Sequence, residues 1–322
     1  MRKGFTLVEL LVALLIVSLV LGAAYITYIN ILGGFGKETA SAETQIETAV
    51  SLDILRLDIE HAGYGLGEDI TDLPIESDNE SSLAVRSVIN TTRLIKDSSG
   101  EPVMWALVEC SSAGVSPSPV AGDSITALPS DAGLVFLGAS NRHFIGNTTD
   151  RTCPDAGVFV AVPYDTKVAS GCTDQFCNKV RYYLSTNQTL DTCNPNTRNL
   201  LRAVGGTGMP LLSCVADIKF LFDIDRNGDG VVDIKGGGFK DADINGDGIV
   251  SAEEVRRALK GIHVYILVQD GRKDKDFTFT NYTTCASGPC LIEDTNVELY
   301  LPPGFENYRW KVVKLAVRPM NL

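Results

Sequence analysis

Proline is absent before Pro74 and cysteine before Cys110, and the only charge between Phe5 and Leu32 is Glu9. Without proline, nothing in the first 73 residues forces a helix kink. Histidine is scarce, with only His61, His143 and His263, and no two cysteines are spaced Cys-x2-Cys. That argues against the usual zinc sites and leaves the histidines as structural or solvated groups. No Ser-His-Asp or Cys-His pattern stands out, and Gly205-Gly206-Thr207-Gly208 lacks the lysine that a phosphate loop needs. An enzyme is therefore not expected. Acidic residues outnumber basic ones, 40 to 28, for a net charge of −12. Such a surface argues against generalised nucleic-acid binding and leaves room only for a local basic groove.

What the chain does have is an apolar start. Phe5 to Leu32 is 28 residues, which as a helix reach about 42 Å, more than the roughly 30 Å of a bilayer's hydrocarbon core. Arg2 and Lys3 precede it and favour a cytoplasmic N-terminus. A carboxylate inside such a run is expensive, about 2.5–3.5 kcal/mol on insertion scales. Gly22-Ala23-Ala24 imitates the small-residue cleavage site of a secretory signal, and a plain signal anchor is the other simple reading. Both leave Glu9 unexplained.

Lys3-Gly4-Phe5-Thr6-Leu7-Val8-Glu9 resembles the leader junction of type IV prepilins. The resemblance implies cleavage between Gly4 and Phe5 by a membrane peptidase and N-methylation of Phe5. It also implies that Glu9 assists assembly by pairing with the freed amine of Phe5 on a neighbouring subunit. An ion pair in a dry setting offsets its desolvation only when both charges are present. Residues 1–4 are then a leader, and 5–32 the membrane or filament-core half of a helix spanning 5–62.

Gly33, Gly34 and Gly36 interrupt the helical pattern, and helix-interior glycine costs about 1 kcal/mol relative to alanine. A bend or melted stretch is expected there. From Lys37 the helical period returns over 37–62, with Ile46, Val50, Ile54 and Leu57 in one stripe and Leu52, Leu55 and Ile59 beside it, a wide face for packing on a sheet. Gly63 and Gly65 end the helix. About 260 residues follow, enough for one large domain or two small ones. Strands are expected at Val103–Glu109, Asp123–Leu128, Leu134–Leu137, Val158–Val162, Val180–Leu184, Val215–Phe222, Ile262–Val268, Val297–Leu301 and Lys311–Val317, with loops at Ser111–Pro119 and Thr186–Arg198. The fold class is α+β: a long N-terminal helix on an antiparallel sheet, with a β-rich, disulfide-bearing head over 63–322 and an insert of about 110–214.

All eight cysteines lie on the side of the anchor that would be exported, which suggests disulfides. Cys172–Cys177 and Cys285–Cys290 are local Cys-x4-Cys pairs. Cys110, Cys153, Cys193 and Cys214 remain, with three possible pairings among them.

The strongest internal signal is acidic. From Asp223 to Glu254 nine carboxylates face three basic residues, so half of the formal charge falls in 32 residues. Asp243, Asn245 and Asp247 place side-chain oxygens at alternate positions, Ile249 offers a carbonyl, Ser251 a further contact and Glu254 a bidentate carboxylate. Gly248 allows the sharp turn. That spacing wraps hard oxygen ligands around one calcium ion and resembles an EF-hand or dockerin-type loop. Ser251 and Glu254 also form a capping box for a helix through Lys260. A second set, Asp225, Asn227, Asp229, Val231 and Asp233, sits on a strand end. Its twelfth position is Gly236, so Asp233, Asp223 or Asp241 would have to compensate. A bound Ca²⁺ with a structural role is expected, because it relieves repulsion among crowded carboxylates.

Scattered stretches resemble PilW-like minor pilins: Asp58-Ile-Glu-His-Ala62-Gly63-Tyr64, Gly122-Asp123-Ser-Ile-Thr-Ala, Cys214-Val-Ala-Asp-Ile-Lys-Phe220 and Tyr308-Arg-Trp-Lys-Val-Val-Lys-Leu-Ala-Val-Arg318. The resemblance implies a subunit held first in the inner membrane, processed by prepilin peptidase and delivered by an assembly platform into a pilus with other pilins. There it would prime the filament near its tip, reaching from periplasm to cell surface. A J-type pseudopilin of type II secretion is the nearest rival, and a filament-borne adhesin is a reading from another class.

Overall fold

The computed structural model describes residues 7–66, 71–87, 95–126, 128–130, 132–138, 144–148, 150–165, 179–204, 207–283, 290–292 and 297–322. Helix α1, Leu7–Glu60, has 54 residues and at 1.5 Å per residue is about 81 Å long. β1 (Ile75–Glu76) and β2 (Leu83–Arg86) follow it, and then β3 (Ala106–Cys110), β4 (Ser118–Gly122), β5 (Ala132–Gly138), β6 (Phe144–Thr148) and β7 (Gly157–Asp165). Next come β8 (Lys179–Leu184), β9 (Arg198–Val204), β10 (Thr207–Ile224) and β11 (Ile234–Gly237). The short helix α2 (Ala252–Ala258) leads into β12 (Leu259–Asp270), and the chain closes with β13 (Cys290–Leu291), β14 (Tyr300–Leu301) and β15 (Arg309–Val317).

An antiparallel main sheet runs β1-β2-β8-β9-β10-β12-β15, with β11 on the far half of β10. β3 to β7 make a separate five-stranded sheet ordered β4-β3-β7-β5-β6. The expected insert of about 110–214 thus divides: β4 to β7 lie in the second sheet, while β8, β9 and the start of β10 lie in the main one. Alternation explains β10. Leu212, Ile218, Phe220, Phe222 and Ile224 are all buried and belong to one core. That core meets Leu55 and Ile59 of α1 and Ala62 just after it, Val255 and Ala258 of α2, and Val313 and Val317 of β15. Burying each large apolar side chain contributes roughly 1.5–3 kcal/mol. A second cluster forms where Phe279, Ile292, Leu299, Phe305 and Tyr308 pack with Leu267 of β12 and Trp310 of β15. The second sheet has its own core around Phe136, Phe159 and Ala161.

Four sequence expectations change. Helical structure runs through residues 33–36 without a break, so the expected melted stretch is absent. Helix growth is cooperative, and interrupting it would orphan backbone groups at two new ends, outweighing a few glycines. The stripe that packs is Thr48, Ser51, Leu55, Ile59 and Ala62, while Ile46, Val50 and Leu57 are 67%, 55% and 51% exposed and Ile54 is half-buried. The small and hydroxyl-bearing residues face inward because β10 offers them polar partners. The Ser51 hydroxyl donates to Leu211 O, and Glu47 Oε1 accepts the Ser213 N–H at 2.8 Å. Among the described residues of Asp123–Leu128 there is no strand: the Asp123 carboxylate accepts the N–H groups of Met104 and Trp105 and fixes a turn. α2 ends at Ala258 rather than Lys260, because Leu259 is already extended, with φ −76° and ψ 119°, at the start of β12.

Gly63 carries the turn that ends α1. Its φ of +81° suits glycine, and an added Cβ would lie 2.6 Å from Asn321 O. Glu60 O accepts the Met320 N–H at 3.0 Å and the Asn321 amide at 3.3 Å, so the end of α1 is tied to the residues after β15.

Candidate functional site

Glu9 lies in the first turn of α1 and is exposed. Gly4 and Phe5 lie outside the described residues. The apolar side chains from Leu7 to Ile29 are exposed along their whole length. This stretch is the helix long and apolar enough to cross a membrane among the described residues.

The two acidic loops share one hydrogen-bond plan. In the loop after α1's sheet strand β10, Asp225 accepts the N–H groups of Gly228 at 2.7 Å and Gly230 at 2.9 Å. Asn227 accepts Asp229 N, and Asp229 accepts Val231 N. In the loop before α2, Asp243 accepts Gly246 N at 2.7 Å and Gly248 N at 2.8 Å, Asn245 accepts Asp247 N, and Asp247 accepts Ile249 N. The correspondence reaches the closing carboxylate. Glu254 Oε1 accepts the N–H groups of Ile244 and Asn245, and Asp233 Oδ2 accepts those of Arg226 and Asn227. Asp233 thus does in the first loop what Glu254 does in the second. Asp223 and Asp241 are engaged elsewhere, Asp223 with Gly236 N and His263 and Asp241 with Gly238 N. The loops are cross-braced by Arg226, which donates to Asp243 O at 3.0 Å.

The capping box is present, with Glu254 accepting Ser251 N at 2.9 Å while Ser251 Oγ accepts Glu254 N. The Ser251 N–H, then its hydroxyl and the amides of Asn245 and Ile244, outweigh burial and hold the Glu254 carboxyl down to about 2. Burial pushes Asp225 up, but the Gly228 and Gly230 N–H groups and Lys260 outweigh it and the carboxyl is lowered. Val231 and Ile249 are exposed. No three His, Cys, Asp or Glu side chains converge as a metal cage among the described residues. The donor set still fits a hard cation in part: a carboxylate oxygen that accepts one N–H keeps a further lone pair.

A third cluster binds α1 to the sheet. Arg202 of β9 reaches Asp58 with two nitrogens, Nε to Oδ2 at 2.7 Å and a terminal nitrogen to Oδ1 at 3.2 Å. The Tyr182 hydroxyl of β8 also donates to Asp58. Burial first, and then the Asp58 charge, push Tyr182 well above its ordinary value of 10.0, and burial pushes Tyr164 to about 12. Both raised values favour the neutral form in the folded state. Their stabilising contribution is complete below the unfolded value of 10.0 and is lost as pH rises toward about 12. Melting temperature is therefore expected to fall across that alkaline window, and Tyr182→Phe with Tyr164→Phe to flatten the fall. An equal slope in the double variant would refute this.

Disulfides join Cys110 to Cys153 and Cys193 to Cys214, which selects one of the three pairings left open by the sequence. Cys290 is also disulfide-bonded, while Cys172, Cys177 and Cys285 lie outside the described residues.

A family model described as the prokaryotic N-terminal methylation motif matches residues 1–25, the stretch that leads directly into the exposed apolar half of α1. The chain is type IV pilin-like. Neither a curated protein nor a solved structure matches it. In a pilin-like chain the motif marks a substrate of prepilin peptidase and a subunit that assembles with other pilins, in a pilus or a pseudopilus. The apolar helix is consistent with membrane anchoring before assembly. The Asp58–Arg202 pair escaped sequence reading. Its one signal was an acid on the inward face of an amphipathic helix, and its partner lies 144 residues away.

Proposed function

We propose that this pilin-like chain is a PilW-like minor pilin that co-assembles into or primes a type IV pilus and presents its head at or near the tip. The observation that carries the reading is α1 itself. It begins at the methylation motif, bears Glu9 in its first turn and exposes an apolar surface to Phe35. The exposed stripe of Ile46, Val50 and Leu57 continues that surface past the point where the head begins to cover the helix. Such a surface suits burial against the helices of neighbouring pilins. The stretches resembling PilW also fall at structural joints: Asp58 under Arg202, Cys214–Phe220 along β10, and Arg309–Val317 as β15.

Deleting the chain's gene tests the assignment. Loss of surface pili with type II secretion intact is the expected result, and the reverse pattern would replace the pilus by a secretion pseudopilus.

Calcium binding is part of the same proposal. Asp243, Asn245, Asp247, Ile249, Ser251 and Glu254 would hold one ion, and Asp225, Asn227, Asp229, Val231 and Asp233 a second. The ions would brace two loops that otherwise rest on their own N–H groups and on Arg226. A ligand at 100 times its dissociation constant stabilises by about 2.7 kcal/mol. Thermal melting is expected to shift upward with calcium and downward with chelator, and Asp243→Ala to shrink the difference. Equal midpoints with and without the ion would count against the sites.

A further inference from the structure

The outer edge of β10 changes partners part-way. It pairs with β9 up to Val215 and with β11 from Phe222 onward. Between them, among the described residues, the turn at 77–82 lies over the strand and Phe220 N donates to Glu80 O at 2.6 Å. The neighbouring Ile218 N–H is taken by the carboxylate of Asp217. Where one neighbour ends and the next has not begun, the sheet leaves two clefts of about 390 Å³ each. They share Asp78, Asn79, Ser81 and Lys219, and the Lys219–Glu80 ion pair at 3.1 Å stands beside the Phe220 bond.

The larger part of the polar chemistry lies on the β9 side, where Arg181, Tyr183, Arg198, Asp217 and Tyr300 line the cleft. Arg181 lies 5.7 Å from the centre of the Tyr183 ring and 3.0 Å from Asp78. Asp217 accepts the Tyr300 N–H at 3.0 Å. Guanidinium donors, carboxylate acceptors and two tyrosines therefore line one cleft. A phosphate or carboxylate ligand calls for cations without the acids, a metal ion for acids without the guanidiniums, and a lipid for apolar walls. Hydroxyl groups both donate and accept, and mixed walls of this kind satisfy them. Aromatic rings offer flat apolar surfaces to the C–H faces of a sugar, and here Tyr300 is exposed while Tyr183 carries Arg181 over one face and is half-buried.

We propose that this cleft binds a neutral oligosaccharide through Arg181, Arg198, Asp217 and the rings of Tyr183 and Tyr300. Each lobe falls within the usual 300–1,000 Å³ of a small-ligand site. The two lobes flank the 77–82 turn, so the ligand is a chain of two or more sugars that crosses it. Around the two lobes Arg181, Arg198, Lys219 and Lys240 stand against Asp78, Glu80 and Asp217, a nearly balanced lining that suits an uncharged ligand. The assignment rests on the head and holds whether or not the chain joins a filament or binds calcium.

The full-length chain in detergent micelles is titrated with cellohexaose, chitohexaose, mannohexaose and maltohexaose, and with polygalacturonate and hyaluronan as acidic counterparts. At least one neutral probe is expected to bind with a dissociation constant of about 1 mM or tighter. Arg198→Ala and Arg181→Ala, both at exposed positions, are expected to weaken it at least tenfold with an unchanged melting temperature. No neutral probe bound, a preference for the acidic polymers, or full binding by both variants would each overturn the proposal.

Discussion

A Glu9→Leu chain is expected to reach the membrane and fail in the filament. The substitution removes a carboxylate that costs about 2.5–3.5 kcal/mol in an apolar run, so insertion improves. What is lost is the charge that, in the proposed role, meets the amine of a neighbouring subunit. With the apolar helix unchanged on every other side, the loss falls on register between subunits rather than on anchoring. The amount recovered in sheared filaments, relative to the membrane pool, is expected to drop at least tenfold, equivalent to about 1.4 kcal/mol. Glu9→Gln separates charge from shape. It keeps the side-chain length and the hydrogen-bond capacity, so a Gln variant as poor as Leu identifies the charge itself. Wild-type incorporation of the Leu variant would sink the role given to Glu9.

The second large effect lies at Asp58. This side chain is buried, and it answers Arg202 twice and Tyr182 once. Asp58→Ala leaves a guanidinium in a part-buried site facing a cavity. Removing one member of a buried pair typically destabilises by about 3–5 kcal/mol, whereas replacing the whole group by apolar residues is often close to neutral. A domain of 150–250 residues loses about 2–4 °C per kcal/mol, so the Asp58→Ala head is expected to melt roughly 6–20 °C lower. Asp58→Leu combined with Arg202→Met and Tyr182→Phe is expected to recover most of that. Denaturant unfolding of the full-length chain in detergent supplies the measurement. A loss below about 1 kcal/mol for Asp58→Ala would show that the pair is solvated.

Local rules carried the sequence reading where chemistry repeats over short spans. The turns of the acidic loops are legible because the first carboxylate of each, Asp225 or Asp243, answers N–H groups three and five residues ahead, a local spacing that the sequence displays. Glu9 stands out because a single charge in a long apolar run has few physical excuses. What eluded the sequence depends on contacts distant along the chain. The inward stripe of α1 was misassigned because Ile46 and Val50 are more apolar than Thr48 and Ser51, yet β10 presents a carbonyl and an N–H that only hydroxyl and carboxylate groups can answer. β9 was missed because Arg198, Asn199 and Arg202 dilute its apolar signal. The pairing of Cys110 with Cys153 and of Cys193 with Cys214, 43 and 21 residues apart, is fixed by sheet geometry that no spacing rule contains.

The ties between α1 and the sheet also decide how the molecule bears tension. Glu47, Ser51 and Asp58 grip Ser213, Leu211 and Arg202. They are spread over 12 residues of helix, about 16 Å of its axis. Each of these bonds joins the helix to a strand of the main sheet. A pull on α1 therefore loads them side by side, in shear, and none can be opened first like the tooth of a zipper. The head is fastened to its stalk as a splice is, by overlap.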